Sequence, residues 1–268
     1  MSQQLSGEQA KFFWEEGYLH LGRHLDEDQL RALQQRIDAI MMGTADLDYD
    51  RTMMQLDPHA AGLGNPPRQS LGHKGSTLCY RKIEKLEYDP LFLTYLQRPL
   101  FEAICAEVYG EEVSIACKRA MFMNKPAHHG SDLPWHQDRW NQYDRDPLVT
   151  VWTALDPCTV HNGCLQIVPR SHRSIINPGR EGGFITPEQQ QEVLATLKPL
   201  FLELEEGEAV LLHNHTLHTS ATNRTDQSRR AFSVCYIDAA TKASSGATFP
   251  VIFGSGALDP NLLAASPT

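Results

Sequence analysis

The sequence predicts a mainly β fold, in which antiparallel sheets close into a sandwich or barrel with helices packed outside. Three observations carry this. From residue 113 onward the chain offers short β-branched or aromatic runs: VSIACKRAMFMNK, LVTVWTAL, GCLQIVP, GEAVLLHNHTLH and RRAFSVCYI. Gly, Pro, Asn and Asp separate them, as they separate strands. Before residue 113 the apolar residues recur at helical spacing instead. No internal repeat or low-complexity stretch interrupts this order of helices first and strands after.

The elements follow in turn. Ser6 and Gln9 form a capping box that opens a helix with Phe12, Phe13 and Trp14 as its apolar side. GYLHLGRHL is short and partly alternating. Asp26 and Gln29 cap a second helix, DEDQLRALQQRIDAIM, in which Leu30, Leu33, Ile37 and Ile40 recur at helical spacing. Residues 43–78 are rich in Gly, Pro, Asp, His and Met and weakly periodic. They are expected to form a long loop, a candidate cover for an active site or else plain mobile surface. DPLFLTYLQRPLFEAICAEVYG returns to helical spacing and ends at Gly110. Among the strands, TPEQQQEVLATLKPL is a helical insertion with Thr186 as cap and Pro187 in the first turn.

Composition narrows the function. With 268 residues, 41% hydrophobic and 21% charged, the chain reads as a soluble globular protein with a sizeable core. A net charge of −9 argues against a nucleic-acid or anionic-membrane partner. No apolar run approaches the ~20 residues that span a bilayer. MSQQLSGEQAKFFWEEGYL lacks the basic flank and apolar core of a secretion signal. Of the six cysteines none forms a C-x-x-C pair and most lie in apolar stretches. Reduced, buried thiols in a cytoplasmic protein are expected, with a zinc or disulfide role as the alternative.

The chemistry concentrates in two places. LPWHQDRW puts His136 and Asp138 two apart in an extended segment, so both point to one face and Gln137 points away. HNHTLH then supplies His213, His215 and His218, which spacing alone does not separate. Two His and one carboxylate form the facial triad of non-haem Fe(II) oxygenases. A lone His in an apolar strand is more often a satisfied core residue; three close together, downstream of a His-x-Asp, favour a site. A second match, His24-Leu25-Asp26, is discounted because Asp26 serves better as a helix cap. NRTDQSRRAF adds Arg224, Arg229 and Arg230. An inward-facing Arg needs a carboxylate partner, and a co-substrate acid could be one. Alternation lets only one of Arg229 and Arg230 face inward, and the other reading leaves both at a strand mouth in water.

Four ordered blocks across roughly residues 8–240 resemble the phytanoyl-CoA dioxygenase family of Fe(II)- and 2-oxoglutarate-dependent oxygenases. MFMNKPAHHGSDLPWHQD is similar to the family's strand, Lys-Pro turn and His-x-Asp. VTVWTALDPCTVHNGCLQIVPRSH is similar to its central segment, except that Arg170 replaces the usual Gly. GEAVLLHNHTLHTSATN resembles the block holding the distal His, and RRA the 2-oxoglutarate arginine. The resemblance implies a double-stranded β-helix, a cupin-like jelly roll with flanking helices, as one domain over 1–268. Its helical part would span about 1–110, its core about 111–240 and a tail 241–268. It implies Fe(II) held by His136, Asp138 and His218, with 2-oxoglutarate and O2 as co-substrates. Arg229 would bind the far carboxylate, with Ser220 and Trp152 nearby and Met121, Met123 and Lys125 on the flanking strand. Halogenating relatives lack the carboxylate that Asp138 provides, so hydroxylation of a small organic substrate is implied. Demethylation, desaturation or cyclisation at the same centre is the alternative, and a non-catalytic metal- and ligand-binding module a more distant one.

Overall fold

The structure is a computed structural model that describes residues 4–58 and 67–264. Its helices are α1 (Gly7–Glu16), α2 (Glu27–Met42), α3 (Pro90–Leu96), α4 (Pro99–Tyr109), α5 (Pro187–Thr196) and α6 (Pro260–Ala264). Its strands are β1 (Tyr18–Arg23), β2 (Met53–Leu56), β3 (Ser70–Leu71), β4 (Tyr80–Glu84), β5 (Ile115–Lys125), β6 (Leu133–His136), β7 (Val149–Ala154), β8 (Leu165–Val168), β9 (Leu200–Leu202), β10 (Glu208–His213), β11 (Leu217–Ser220), β12 (Arg229–Asp238) and β13 (Val251–Phe253).

Two antiparallel sheets face each other. The larger runs β1-β10-β7-β12-β5-β4-β2-β3, with β13 also on β5; the smaller runs β6-β11-β8-β9. From β5 to β12 the chain passes repeatedly between them, which is the double-stranded β-helix. One apolar core, with Phe92, Phe122, Phe232 and Tyr236, lies on the helix side of the large sheet. A smaller one, with Ile167, Leu202, Val210 and Ala231, fills part of the space between the sheets. β7 is therefore buried at every residue, its two threonines included.

Local chemistry sets the helices. Ser6, Asp26 and Thr186 each cap as expected, with reciprocal Gln bonds. α2 buries Leu30, Leu33, Ile37, Ile40 and Met41. Three expectations need correction. The helical stretch after Asp89 is two helices, because Pro99 disfavours helical backbone at Arg98, whose ψ is 139°. GEAVLLHNHTLH is two strands on different sheets, broken where Asn214 turns. The 43–78 segment is not all loop: β2 pairs with β3 and β4 at the end of the large sheet. None of its described residues lines the cavity between the sheets; His59 lies outside the described residues.

Arg170, standing where a Gly was expected, adopts φ 69°. It spans to Glu16, with Nη2 to Oε1 at 2.6 Å.

Candidate metal centre and co-substrate pocket

β6 and β11 are antiparallel neighbours, and His136 and His218 are register partners across them. Their ring centroids lie 4.1 Å apart. The pairing therefore brings together two histidines 82 positions apart in sequence. Asp138 follows just past β6, where its N–H donates to the Asn214 carbonyl at 2.8 Å. His136, Asp138 and His218 each present one ligand atom, all within 4.8 Å of one another. His136 Nε2 stands 3.9 Å from Asp138 Oδ1.

The outer contacts fix which atoms face inward. His136 Nδ1–H donates to the Pro134 carbonyl at 2.8 Å, and His218 Nδ1–H to the Thr216 carbonyl at 2.9 Å. Both Nε2 atoms are left as free acceptors, the tautomer that a metal requires. Arg119 donates to Asp138 Oδ2 at 3.1 Å, leaving Oδ1 toward the imidazoles. Burial drives the His136 pKa down to about 3, helped by the His218 charge. Burial alone would raise the Asp138 pKa, but the Arg119 guanidinium and the two imidazoles pull it below its ordinary value. Both groups are thus in their metal-binding protonation states at neutral pH. The residues fit a divalent ion with two nitrogen ligands and one oxygen ligand.

His213 and His215 are placed differently. His213 ends β10 on the large sheet, where its Nδ1 accepts the His215 N–H at 3.1 Å. Its ring packs against Phe13, Trp14 and His172. His215 faces Asp146 at 3.5 Å. Asn214 separates them from His218: its side chain binds Thr150 Oγ1, the Pro147 carbonyl and Cys235 Sγ.

These burial effects give a testable pH dependence. Burial lowers the pKa of His24 to about 4 and of His213, like His136, to about 3. In an unfolded chain each would bind its proton near ~6.5. The folded values are the lower ones, so the stabilisation is present above ~6.5 and is lost as pH falls through about 4 for His24 and about 3 for His213 and His136. The melting temperature of the metal-free protein should fall steadily across that window; an unchanged melting temperature would contradict these environments.

The cavity between the sheets holds most of the remaining candidates. Arg229, Ser220, Trp152, Met121 and Met123 all line it with the three metal-ligand candidates. Lys125 does not: its Nζ donates to the Ser131 carbonyl at 2.6 Å. Burial, then the nearby Arg229 charge, lowers its pKa to about 6. The ambiguity of the arginine pair is resolved by register. Arg229 points inward and Arg230 outward, where Arg230 pairs with Asp156 and Asp38 at 2.8 Å each. Arg229 is 3% exposed and its guanidinium lies 5.4 Å from the Trp152 ring centre. Among the described residues it has no ion pair with an acid, and its Nε and the Trp152 Nε1 are buried without hydrogen-bond partners. A buried guanidinium with no anion is costly alone. A carboxylate ligand would complete it.

Arg139 and Trp140, which follow the His-x-Asp closely, line the cavity as well; three further lining residues, Lys82, Arg119 and Phe184, escaped the sequence reading. No short motif marks them, and most depend on which face a strand presents. Phe184 stacks on His136 at 5.2 Å and so covers the centre. Gln137, turned away between two ligand candidates, ties that cover down. Its amide donates to the Ser174 and His215 carbonyls at 2.9 and 2.6 Å, and its Oε1 accepts the Ile176 N–H at 2.9 Å. Gly183, at φ 65°, passes so close that a Cβ there would meet the Gln137 carbonyl oxygen at 1.8 Å. Removing this buried amide strands its partners, at ~1–3 kcal/mol. Gln137→Ala should therefore lower the melting temperature and speed amide exchange across residues 174–185. Unaltered exchange there would rule out the tethering role.

The profile of the family described as Phytanoyl-CoA dioxygenase (PhyH) matches residues 13–231. A probable phytanoyl-CoA dioxygenase of Caenorhabditis elegans is 29% identical over 245 residues, covering 87% of this chain and 75% of that protein. Among solved structures, EctD from S. alaskensis with bound Fe superposes with a TM-score of 0.72 at 19% identity, covering 89% of this chain and 79% of that one. SnoK, a non-heme alpha ketoglutarate dependent carbocyclase from nogalamycin biosynthesis, gives 0.64 at 18%, covering 98% and 92%.

Proposed function

The chain belongs to the phytanoyl-CoA dioxygenase family and is a dioxygenase of the iron- and 2-oxoglutarate-dependent kind; from that footing we propose that it hydroxylates a small organic molecule at an unactivated carbon. The balance is R–H + O2 + 2-oxoglutarate → R–OH + succinate + CO2. The observation that carries this reading is the joint presence of a two-His, one-carboxylate cluster and an unpaired, buried Arg229 in one cavity.

Fe(II), when bound, supplies the activation of O2 that breaks the C–H bond. His136, Asp138 and His218 would hold it, leaving other positions open to co-substrate and O2. Arg229 would take the far carboxylate of 2-oxoglutarate through two parallel hydrogen bonds. Trp152 and Ser220 would present their polar atoms to the same ligand, and Met121 and Met123 would give the pocket an apolar side. Lys125 would act at one remove, holding the turn after β5 in place. Phe184 and the segment that Gln137 ties down would keep water from the centre.

Asp138 favours hydroxylation over halogenation, because its carboxylate fills the coordination position that a halide would need. Another oxidative outcome depends on which C–H bond faces the metal. SnoK, with the same fold, is described as a carbocyclase, so the fold alone does not choose. No described helix is long and apolar enough to cross a membrane.

Oxygen consumption, 2-oxoglutarate loss and succinate release, followed together over a panel of small acids, amides and alcohols, test the reading. A substrate should raise all three in equal amounts and yield a product heavier by one oxygen. Turnover that His218→Ala leaves intact would sink it.

A further inference from the structure

α1 lies outside the jelly roll, yet its last turn reaches the residues that hold His218. A helix leaves its final carbonyls without partners of its own. α2 closes its end locally, with the Gly43 and Thr44 N–H groups returning to the Ile40 and Ala39 carbonyls. α1 does this for the Phe13 carbonyl, which accepts the Gly17 N–H at 2.8 Å. The next four carbonyls go to two turns of the barrel. Trp14 accepts from His172 Nε2 at 3.1 Å, Glu15 from Arg173 at 3.0 Å and Glu16 from the Arg170 N–H at 2.9 Å. Gly17 accepts twice, from the His213 N–H at 2.9 Å and from Thr216 Oγ1 at 2.7 Å. The approach is close: Gly17 has φ 81°, and a Cβ there would meet His172 Nδ1 at 2.4 Å and Thr216 Oγ1 at 2.5 Å.

Both turns serve the proposed iron ligands. The Thr216 carbonyl takes the His218 Nδ1–H at 2.9 Å and so sets where Nε2 points. That carbonyl shares a rigid peptide plane with the Leu217 N–H. The Leu217 N–H donates to Ser171 Oγ at 2.8 Å, and the Thr216 N–H to the His213 carbonyl at 2.8 Å. With the Thr216 hydroxyl on Gly17, the plane is held from both sides, and Thr216 is 1% exposed. Ser171 lies in the 170–173 turn that binds α1. Its carbonyl also accepts from Gln137, the neighbour of His136, at 3.4 Å.

We propose that Thr216 is a positioning residue for His218, anchored through Gly17, and that α1 thereby forms part of the metal centre. The inference rests on the proposed function, in which His218 is an iron ligand. The hydroxyl acts at one remove. It holds the residue whose carbonyl orients the imidazole, and it touches neither metal nor co-substrate. A ring already oriented in the metal-free protein loses less freedom when it takes a metal, and so binds more tightly.

The test compares the full chain as parent, Thr216→Val, Thr216→Ser and Tyr236→Phe. Val keeps the shape of Thr without the hydroxyl, and Gly17 keeps its bond from His213, so the fold is retained. Tyr236→Phe is the control: it removes a buried hydroxyl that binds the Leu96 carbonyl at 2.8 Å, on the helix side of the large sheet. Fe(II) affinity is measured without oxygen or 2-oxoglutarate, by chelator competition well below each melting temperature. Thr216→Val should bind about tenfold more weakly, the scale expected for loss of an outer partner of a metal ligand. Thr216→Ser should stay within a few fold of the parent, and Tyr236→Phe should match it. The visible bands of bound Co(II), which report ligand geometry, should shift in Thr216→Val and not in Tyr236→Phe. Unchanged affinity and bands in Thr216→Val overturn the inference. So does a loss that Thr216→Ser shares in full or that Tyr236→Phe reproduces. The metal-free protein gives a second readout: the His218 Nδ1–H should exchange with water faster in Thr216→Val than in the parent or Tyr236→Phe. A parent that binds no metal counts against the iron reading alone. The exchange rates then decide the positioning role, and equal rates in parent and Thr216→Val overturn it.

Discussion

Replacing His218 with Ala removes iron binding and turnover together. His218 is the one proposed ligand from the distal strand, and it meets His136 only because β11 pairs with β6. Without it, two ligands remain, both from the short segment after Leu133. Loss of even an outer-shell partner of a metal ligand costs ~10–100-fold in affinity. Loss of a ligand itself should exceed about 100-fold. Fe(II) affinity measured by competition with a chelator, and 2-oxoglutarate consumption measured beside it, should both collapse. The fold should persist, since His218 is only half-buried and its Nδ1 makes a single hydrogen bond among the described residues, to the Thr216 carbonyl at 2.9 Å. His213→Ala is the matched control. It should leave Fe(II) affinity within a few fold while lowering the melting temperature, because its ring packs with Phe13 and Trp14. The reverse pattern would exchange the two assignments.

Arg229→Ala should spare iron and cripple the co-substrate. The guanidinium is buried, has no acid paired with it among the described residues, and lies against Trp152. Truncating one partner of a buried, hydrogen-bonded charge pair costs ~2–5 kcal/mol. That corresponds to a roughly 30- to 5,000-fold weaker hold on 2-oxoglutarate. Arg229→Lys should recover only part, since an ammonium keeps the charge but not the two parallel bonds. Arg229→Met adds a contrast of opposite sign. In the ligand-free protein the cation is uncompensated, and burial drives its pKa down. An apolar side chain of similar volume should therefore keep or raise the melting temperature while 2-oxoglutarate affinity falls. A large loss of stability in Arg229→Met would mean that Arg229 is a structural residue.

Much of this was legible in the sequence, and the limits have physical causes. Caps are local chemistry, so Ser6, Asp26 and Thr186 could be assigned to helix starts directly. The strand runs were legible because β-branched and aromatic residues cluster between breakers. Which sheet each strand joins was not, because that depends on distant pairing. GEAVLLHNHTLH looks like one strand until Asn214 finds partners in Thr150, Pro147 and Cys235. That break sends His213 to one sheet and His218 to the other. Spacing left the two histidines equivalent, and only the family resemblance favoured His218. The Arg229 and Arg230 pair shows the same limit: alternation says that one faces inward, and register says which. Arg119 shares a face of β5 with Met121 and Met123 and lines the cavity with them, but nothing in its residue type marked it out. The 43–78 segment misled for another reason. Its Gly- and Pro-rich composition hides short strands that are held by β4 rather than by their own propensity. The cover over the centre is instead Phe184, which no motif marks.

The most direct measurement is an oxygen-free titration of the metal-stripped protein with Fe(II) and then 2-oxoglutarate. The weak visible charge-transfer band of the bidentate chelate is followed in the parent, His218→Ala and Arg229→Ala. The expected result is a band that saturates in the parent, is absent in His218→Ala and needs far more 2-oxoglutarate in Arg229→Ala. A folded, iron-loaded parent that shows no band would contradict the assignment of centre and co-substrate, and would leave a metal-binding jelly roll without oxygenase chemistry.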